Sequence, residues 1–519
     1  FGWHKSALLV VGLLTACHNR SPDASVMANG SVGERMQSEQ LWQPLQDLKL
    51  LIGFKSSDNH LSALDGIRAL SLLWVFSLHA MLLEAWDVET QKRRVGPEAE
   101  VFQDVKLSAW GQIPLHGNTG MDSFFVLSGL LISRGYQGMK SRSCLRRYGT
   151  FLVRRIFRIW PMVVAAVAAS LLIGVLVPAC PLSARVPWVW THLLLVQNLF
   201  VDSLKNPDLP QLWSVGVEMQ MYLITPLLMD LMVDRKTSQM RSFAPLYLTV
   251  LSLLSVAFRC WLILGSPQEA VDRAWPPGMV YLNPLARLSP YISGMAVQLA
   301  MNTIDTRRIS GHPLRHVLVM MLDLCAVSIL LLAAFIGQKP EPAPSFMYEL
   351  FEPLVVKLIV ALWPPVYGWC LARVIFRVLS IEKPKDGGVL SQLHPWFLLQ
   401  CFLSSQLWKG LALLSYSAYV VQQFVLLLIL APLMKELHLY WSGLNTPGDA
   451  LWRYAVVFSL FVLMACLIAL PFHLFIEKPC IRLGRYLSTE RAHQVEECTL
   501  DTEAPDAPVA PSDPQLARC

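Results

Sequence analysis

The stretch Leu64-DGIRALSLLWVFSLHAML-Leu83 is apolar apart from two serines and three ionisable residues, Asp65, Arg68 and His79. Its length and composition fit a helix that crosses a bilayer. Eleven residues at about 100° each put Arg68 and His79 on one helix face, ~17 Å apart along the axis. An arginine at the membrane boundary with a histidine near mid-depth is costly to keep in hydrocarbon. The pairing therefore points to chemistry or transport performed inside a membrane.

The whole chain agrees with that reading. Of its 519 residues, 54% are hydrophobic and 15% charged, against about 25% charged in soluble domains. Its mean hydropathy is +0.44. The net charge of +6 fits basic loops facing an anionic leaflet rather than a nucleic-acid surface, so no nucleic-acid partner is expected. Eleven cysteines show neither CxxC pairs nor His/Cys ligand spacing. Neither a metal site nor a disulfide framework is expected, and most sit in or beside apolar spans as small hydrophobes.

Apolar stretches recur near 64–83, 113–133, 160–178, 211–232, 244–264, 280–300, 316–337, 354–375, 409–433 and 454–475. The run from Trp188 to Val201 is shorter and broken by His192, Gln197 and Asn198, so it reads as a lumenal or re-entrant piece. If it does not span, the basic clusters Arg154/Arg155/Arg158, Arg235/Lys236/Arg241, Arg307/Arg308/Arg315, Arg373/Arg377 and Lys478/Arg482/Arg485 share one side. The acidic loops containing Glu84, Glu269, Glu341 and Glu436 share the other, as the positive-inside rule requires. The expected fold is all-α and polytopic, about ten transmembrane helices around an intramembrane catalytic cavity, with both ends of this core cytosolic.

Around that core, residues 1–17 read as the remnant of a preceding transmembrane helix or a targeting segment, and 18–60 as a polar linker. Residues 61–487 form the transmembrane domain and 488–519 a disordered Pro/Asp/Glu-rich tail. The sequon Asn29-Gly-Ser31 falls on the cytosolic side of this topology, where it goes unused. No internal repeat is evident.

Several spans carry polar groups at depth: His79, Asp122, Glu218 with Gln220, and Arg287. Such groups face a bundle interior or a wet cavity and pair with one another. Each alone has a plain structural reading: Asp122, Glu218 and Arg287 as ion pairs between helices, and His79 as a core histidine bonded to a carbonyl. Arg68 also has Asp65 one turn away. Arg154 and Arg155 are explained as topogenic charge, whereas Arg158 lies deepest and is the better candidate for holding a phosphate. A histidine and several arginines together make a reaction or transport site the stronger expectation.

The residues then match a family. Leu64-DGIRALSLLWVFSLHA has the R-x10-H spacing of the membrane-bound acyltransferase-3 family, and it particularly resembles the animal branch called nose resistant to fluoxetine. Gly120-MDSFFVLSGLLIS, Phe151-LVRRIFRIWP, Leu212-WSVGVEMQMYLITP and Tyr281-LNPLARLSPYISG resemble four further elements in the family's order, with a weaker end signal at Phe475-IEKP. The resemblance covers about residues 60 to 485. It departs at Leu414-SYSAYVVQQF, where Gln422 stands at a place often histidine.

The resemblance implies transfer of an acyl group, commonly acetyl, from acyl-CoA to a hydroxyl of a lipid or glycan acceptor, with no bound cofactor. In that picture Arg68, Arg158 and Arg287 bind the donor, Arg287 alternatively stabilising the oxyanion. His79 acts as catalytic base or acyl carrier, with Asp122 or Glu218 fixing its tautomer. Ser128, in Phe124-FVLSGLL, is a lesser alternative nucleophile because it lacks the G-x-S-x-G elbow. The expected compartment is the endoplasmic reticulum or plasma membrane, with membrane lipids as surroundings and the oligomeric state open. The rival classes are a transporter, which the missing repeat counts against, and a degenerate acyltransferase kept as a lipid-binding scaffold.

Overall fold

The computed structural model describes residues 42–52, 61–90, 108–139, 143–177, 182–200, 208–234, 239–265, 278–303, 313–335, 353–381, 394–437 and 447–488, with 206 and 237 in addition. The expectations for 1–17, for the sequon and for the tail beyond 488 lie outside the described residues. Among the described residues the chain is helical, with one isolated bridge between Val233 and Met240.

The first helices are α1 (Pro44–Ile52), α2 (Ala63–Thr90), α3 (Ala109–Leu115), α4 (Thr119–Gln137) and α5 (Cys144–Leu176). A short α6 (Val189–Leu193) follows, then α7 (Trp213–Met232), α8 (Ala244–Leu264), α9 (Gly278–Leu282) and α10 (Pro284–Thr303). The last group is α11 (Pro313–Leu332), α12 (Pro353–Ser380), α13 (Pro395–Leu403), α14 (Gln406–Val425), α15 (Ala431–Leu437) and α16 (Pro447–Phe472). Two π-helical turns, Leu426–Leu430 and His473–Glu477, interrupt the late helices.

Local sequence sets several of these boundaries. Ser143 caps α5 by accepting from the Arg146 N–H, and Ser405 caps α14 by accepting from the Leu407 N–H. Each hydroxyl satisfies a donor that the first turn leaves orphaned. Within the stretch read as a linker, α1 forms and docks: Arg482 Nη2 bonds Asp47 Oδ1 at 2.5 Å, and the Trp42 and Phe475 rings stand 6.0 Å apart.

Six helices are long and apolar enough to cross a membrane among the described residues: Ala63–Leu83, Cys144–Leu176, Ala244–Leu264, Leu354–Ser380, Gln406–Met434 and Leu451–Ser488. The shorter His316–Leu332 is also apolar. Helices α4, α7 and α10 have 19, 20 and 20 residues, about 28–30 Å at 1.5 Å per residue. They are long enough, and their polar content sets them apart from the six. They carry Asp122, Glu218, Gln220 and Arg287 and lie in the centre, α10 packing extensively on α4, α8 and α12. Helix α2 packs against α4, α14 and α16. Helices packed at the centre shield their polar groups among protein neighbours.

The described segment after α5, residues 182–200, holds no helix longer than five residues. The longest is α6, and just after it Leu195 holds a left-handed φ of 58°. Gln220 on α7 pins it: its Nε2 donates to Asn198 Oδ1 at 2.8 Å and to the Leu195 carbonyl at 3.3 Å. His192 in α6 is buried, and neither ring nitrogen has a partner among the described residues. Burial pulls its pKa down to about 4.

Candidate functional site

The glycines of two motifs decide how the central helices meet. A Cβ on Gly129 would fall 2.0 Å from the Tyr291 carbonyl oxygen, and one on Gly294 would fall 1.9 Å from that of Val126. Helices α4 and α10 thus touch backbone to backbone, which requires a residue without a side chain at each crossing point. A Cβ on Gly117, just before α4, would fall 2.1 Å from the Trp74 carbonyl oxygen of α2, and one on Gly120 would fall 2.8 Å from that of Ser71. Three helices are thereby locked in register, and the polar residues beside those glycines converge.

At one level lies a buried ion pair. Arg287 Nη1 donates to Asp122 Oδ1 at 2.8 Å, and both side chains are buried. The same guanidinium donates through Nε to the Tyr281 carbonyl at 3.0 Å and stands 4.3 Å over the Tyr281 ring. Arg259, also fully buried, feels both charges and donates to the carbonyls of Ala361 and Val360 at 2.8 and 2.9 Å. Asp122 and Arg287 are brought together with each other.

His79 stands apart from them. It is partly buried, and its Nδ1 lies 2.9 Å from the Val75 carbonyl oxygen. That contact places the proton on Nδ1 and leaves Nε2 as an acceptor. The bond that sets the tautomer comes from its own helix, while the carboxylates expected to supply it are engaged elsewhere.

Glu218 is the centre of a third group. Its Oε1 accepts from both the Ser128 and Tyr222 hydroxyls. Glu218 and Tyr222 are four apart on α7 and so share a face. Arg68 of α2 lies within electrostatic reach of Arg158, Glu218 and Tyr222. Arg155 of α5 lies within reach of Arg158, Tyr222, Glu218 and Tyr291, with its guanidinium 5.4 Å from the Phe151 ring centre. Arg68, Arg155, Ser128 and Glu218 are partly buried and Arg158 is exposed. The structure therefore joins Arg68, Arg158 and Glu218, three of the expected site residues. It adds Arg155 and Tyr222, and brings in Ser128, the lesser alternative nucleophile. The i, i+3 spacing of Arg155 and Arg158 was the available signal for the first, and the i, i+4 spacing of Glu218 and Tyr222 for the second. Arg154 leaves the group and donates to Ser488 Oγ at 2.8 Å.

Beyond Tyr416 lies a further polar set. The Tyr416 hydroxyl donates to the Ile159 carbonyl at 2.8 Å, and its ring lies within reach of Glu477, Glu218 and Arg158. Its neighbour Ser417 donates to Glu477 Oε2 at 2.6 Å, and His473 Nδ1 lies 2.8 Å from the same oxygen. All three are buried. Gln422, farther along α14, is buried with neither amide atom partnered among the described residues. Among the described residues no three His, Cys, Asp or Glu side chains group as metal ligands do.

These features were compared with known proteins. The profile of the acyltransferase domain family, Acyl_transf_3, matches residues 61–474. A curated protein of Caenorhabditis elegans named "Regulator of hypoxia-inducible factor 1" is 25% identical over 196 residues, 36% of this chain and 37% of that protein. The match thus spans little more than a third of that relative's length. No solved structure matches. The family profile covers most of the chain, including helices α2, α4, α5, α7 and α10, so the chain belongs to the acyltransferase-3 family, as a multi-pass membrane protein.

Proposed function

We propose that this protein moves an acyl group, acetyl or another short chain, from acyl-CoA to a hydroxyl of a lipid or glycan. It does so within a bundle of about ten spans, in the endoplasmic reticulum or plasma membrane. The sequence resemblance supports placing it in the nose-resistant-to-fluoxetine branch. The observation that carries the proposal is the convergence of Arg68, Arg155 and Arg158 on one partly accessible cluster inside the helices. Guanidinium groups are well shaped to grip phosphate, and a low-dielectric surrounding strengthens the grip.

In this reading Arg68 and Arg158, with Arg155, hold the donor's phosphates. The acyl arm extends toward His79, ~17 Å farther along α2. The Val75 carbonyl fixes the His79 tautomer, leaving Nε2 to take the acceptor's proton or the acyl group itself. Asp122 and Arg287, bonded to each other, act by holding α4 against α10 beside the cluster.

Membrane fragments supplied with labelled acetyl-CoA and longer acyl-CoAs test the proposal. Labelled lipid or glycan should form in leaky fragments as well as in sealed vesicles. Flux in sealed vesicles without acyl transfer would replace this reading with transport.

A further inference from the structure

We propose that Glu218 is the resident counter-anion of the donor site, occupying the place that a phosphate group of acyl-CoA takes on binding. The inference rests on the acyltransferase reading and concerns the same site.

Two guanidinium groups, on Arg68 and Arg155, lie within reach of this one carboxylate, and that of Arg158 lies within reach of both arginines and of Tyr222. Arg68 has a second anion, Asp65, at 3.5 Å. Among the described residues Arg155 and Arg158 make no contact ion pair, and the buried Nε of Arg155 has no hydrogen-bond partner. The Phe151 and Tyr222 rings, 5.4 and 6.0 Å away, hold the Arg155 guanidinium in place without consuming its donors. The other groups facing Glu218 are neutral hydroxyls: Ser128 of α4, Tyr222 of α7, Tyr291 of α10, and Tyr416 and Tyr419 of α14. The cluster thus holds three guanidinium groups against one carboxylate, with a buried donor of Arg155 left unused.

An excess of cations in a bundle is costly when the site is empty, and Glu218 offsets part of that cost. A phosphate brings the charge the arginines lack. It also offers oxygens to the Ser128 and Tyr222 hydroxyls, which both now donate to Glu218. Competition from the carboxylate makes the grip weaker than three bare arginines would give. Free CoA carries the same phosphates as the donor, so that weakening lets the product leave. Glu218 acts here as a positioning and affinity-setting residue through the arginines.

The test uses full-length protein in nanodiscs, with CoA and acetyl-CoA as probes, measured by calorimetry and by single- and multiple-turnover rates. Glu218→Gln should bind CoA about tenfold more tightly, the effect of removing one nearby like charge. Its kcat should fall as product release becomes limiting, while the single-turnover rate stays within about twofold of wild type. Ser128→Ala should bind CoA several-fold more weakly. Unchanged or weaker CoA binding in a Glu218→Gln protein of normal melting temperature would overturn the inference. So would a single-turnover rate that falls with kcat. Should that variant not fold, difference infrared spectra of the wild type decide: CoA must perturb a carboxylate stretch, and its absence overturns the inference. Wild type that binds no CoA would remove the donor site and this inference together, whereas binding untouched by Glu218→Gln removes only the inference.

Discussion

Gly294 of α10 lies so close to Val126 of α4 that a methyl group on it would stand 1.9 Å from the Val126 carbonyl oxygen. Backbone cannot yield as a flexible side chain does. Gly294→Ala should therefore lower stability by about 2–3 kcal/mol or more, the upper range for overpacking. Ser128 sits two residues from Val126 on α4, so activity should fall with stability. Thermal denaturation in detergent checks this, and a wild-type melting temperature for Gly294→Ala would contradict the close approach.

The buried pair of Asp122 and Arg287 gives the second expectation. Removing one partner leaves a charge without compensation, so Asp122→Ala should cost about 3–5 kcal/mol. The double variant Asp122→Leu/Arg287→Met should recover part of that loss, because neither charge then remains. A double variant less stable than Asp122→Ala would show that the pair does more than balance its own charges.

A third expectation concerns acid. His192 lies outside the spans and its pKa is lowered by burial to about 4, below the ordinary value of about 6.5. Its contribution to stability is full above pH 6.5 and is lost as pH falls toward 4, because the unfolded chain takes up the proton first. The loss is on the order of 3 kcal/mol. Melting temperatures recorded from pH 7 to pH 4 should fall less steeply for His192→Phe than for wild type, and identical slopes would sink the idea.

A fourth follows from the arginine cluster. Arg158→Ala should raise the KM for acyl-CoA by about 10- to 100-fold, the range for a lost charge-assisted contact to phosphate. Arg154→Ala should change it little, since Arg154 is engaged with Ser488. Equal effects of the two would mean that α5 contributes general positive charge and no shaped site.

Much of this was legible in the sequence because the motifs encode contacts. The R-x10-H spacing placed Arg68 and His79 on one face, and the polar residues of α4, α7 and α10 marked the central helices. Partner choice was not legible. Asp122 and Arg287 are 165 residues apart, and no local periodicity says that Asp122 meets an arginine rather than His79. Hydropathy picks out six helices among the described residues, since those that hold the site are less apolar. Arg155 read as topogenic because charge near a membrane boundary has that ready explanation, and only the Phe151 and Tyr222 rings beside it single it out. The set of Ser417, Glu477 and His473 depends on two late helices packing together, which spacing along the chain does not reveal.

The most direct measurement compares membranes carrying wild type or His79→Ala at equal expression, supplied with radiolabelled acyl-CoA. Acyl-CoA consumption and labelled lipid or glycan would be followed together. Loss of about 100-fold or more of the turnover in His79→Ala, within the range for a lost general base, is the predicted result. Equal turnover in both proteins would take His79 out of the chemistry and contradict the account.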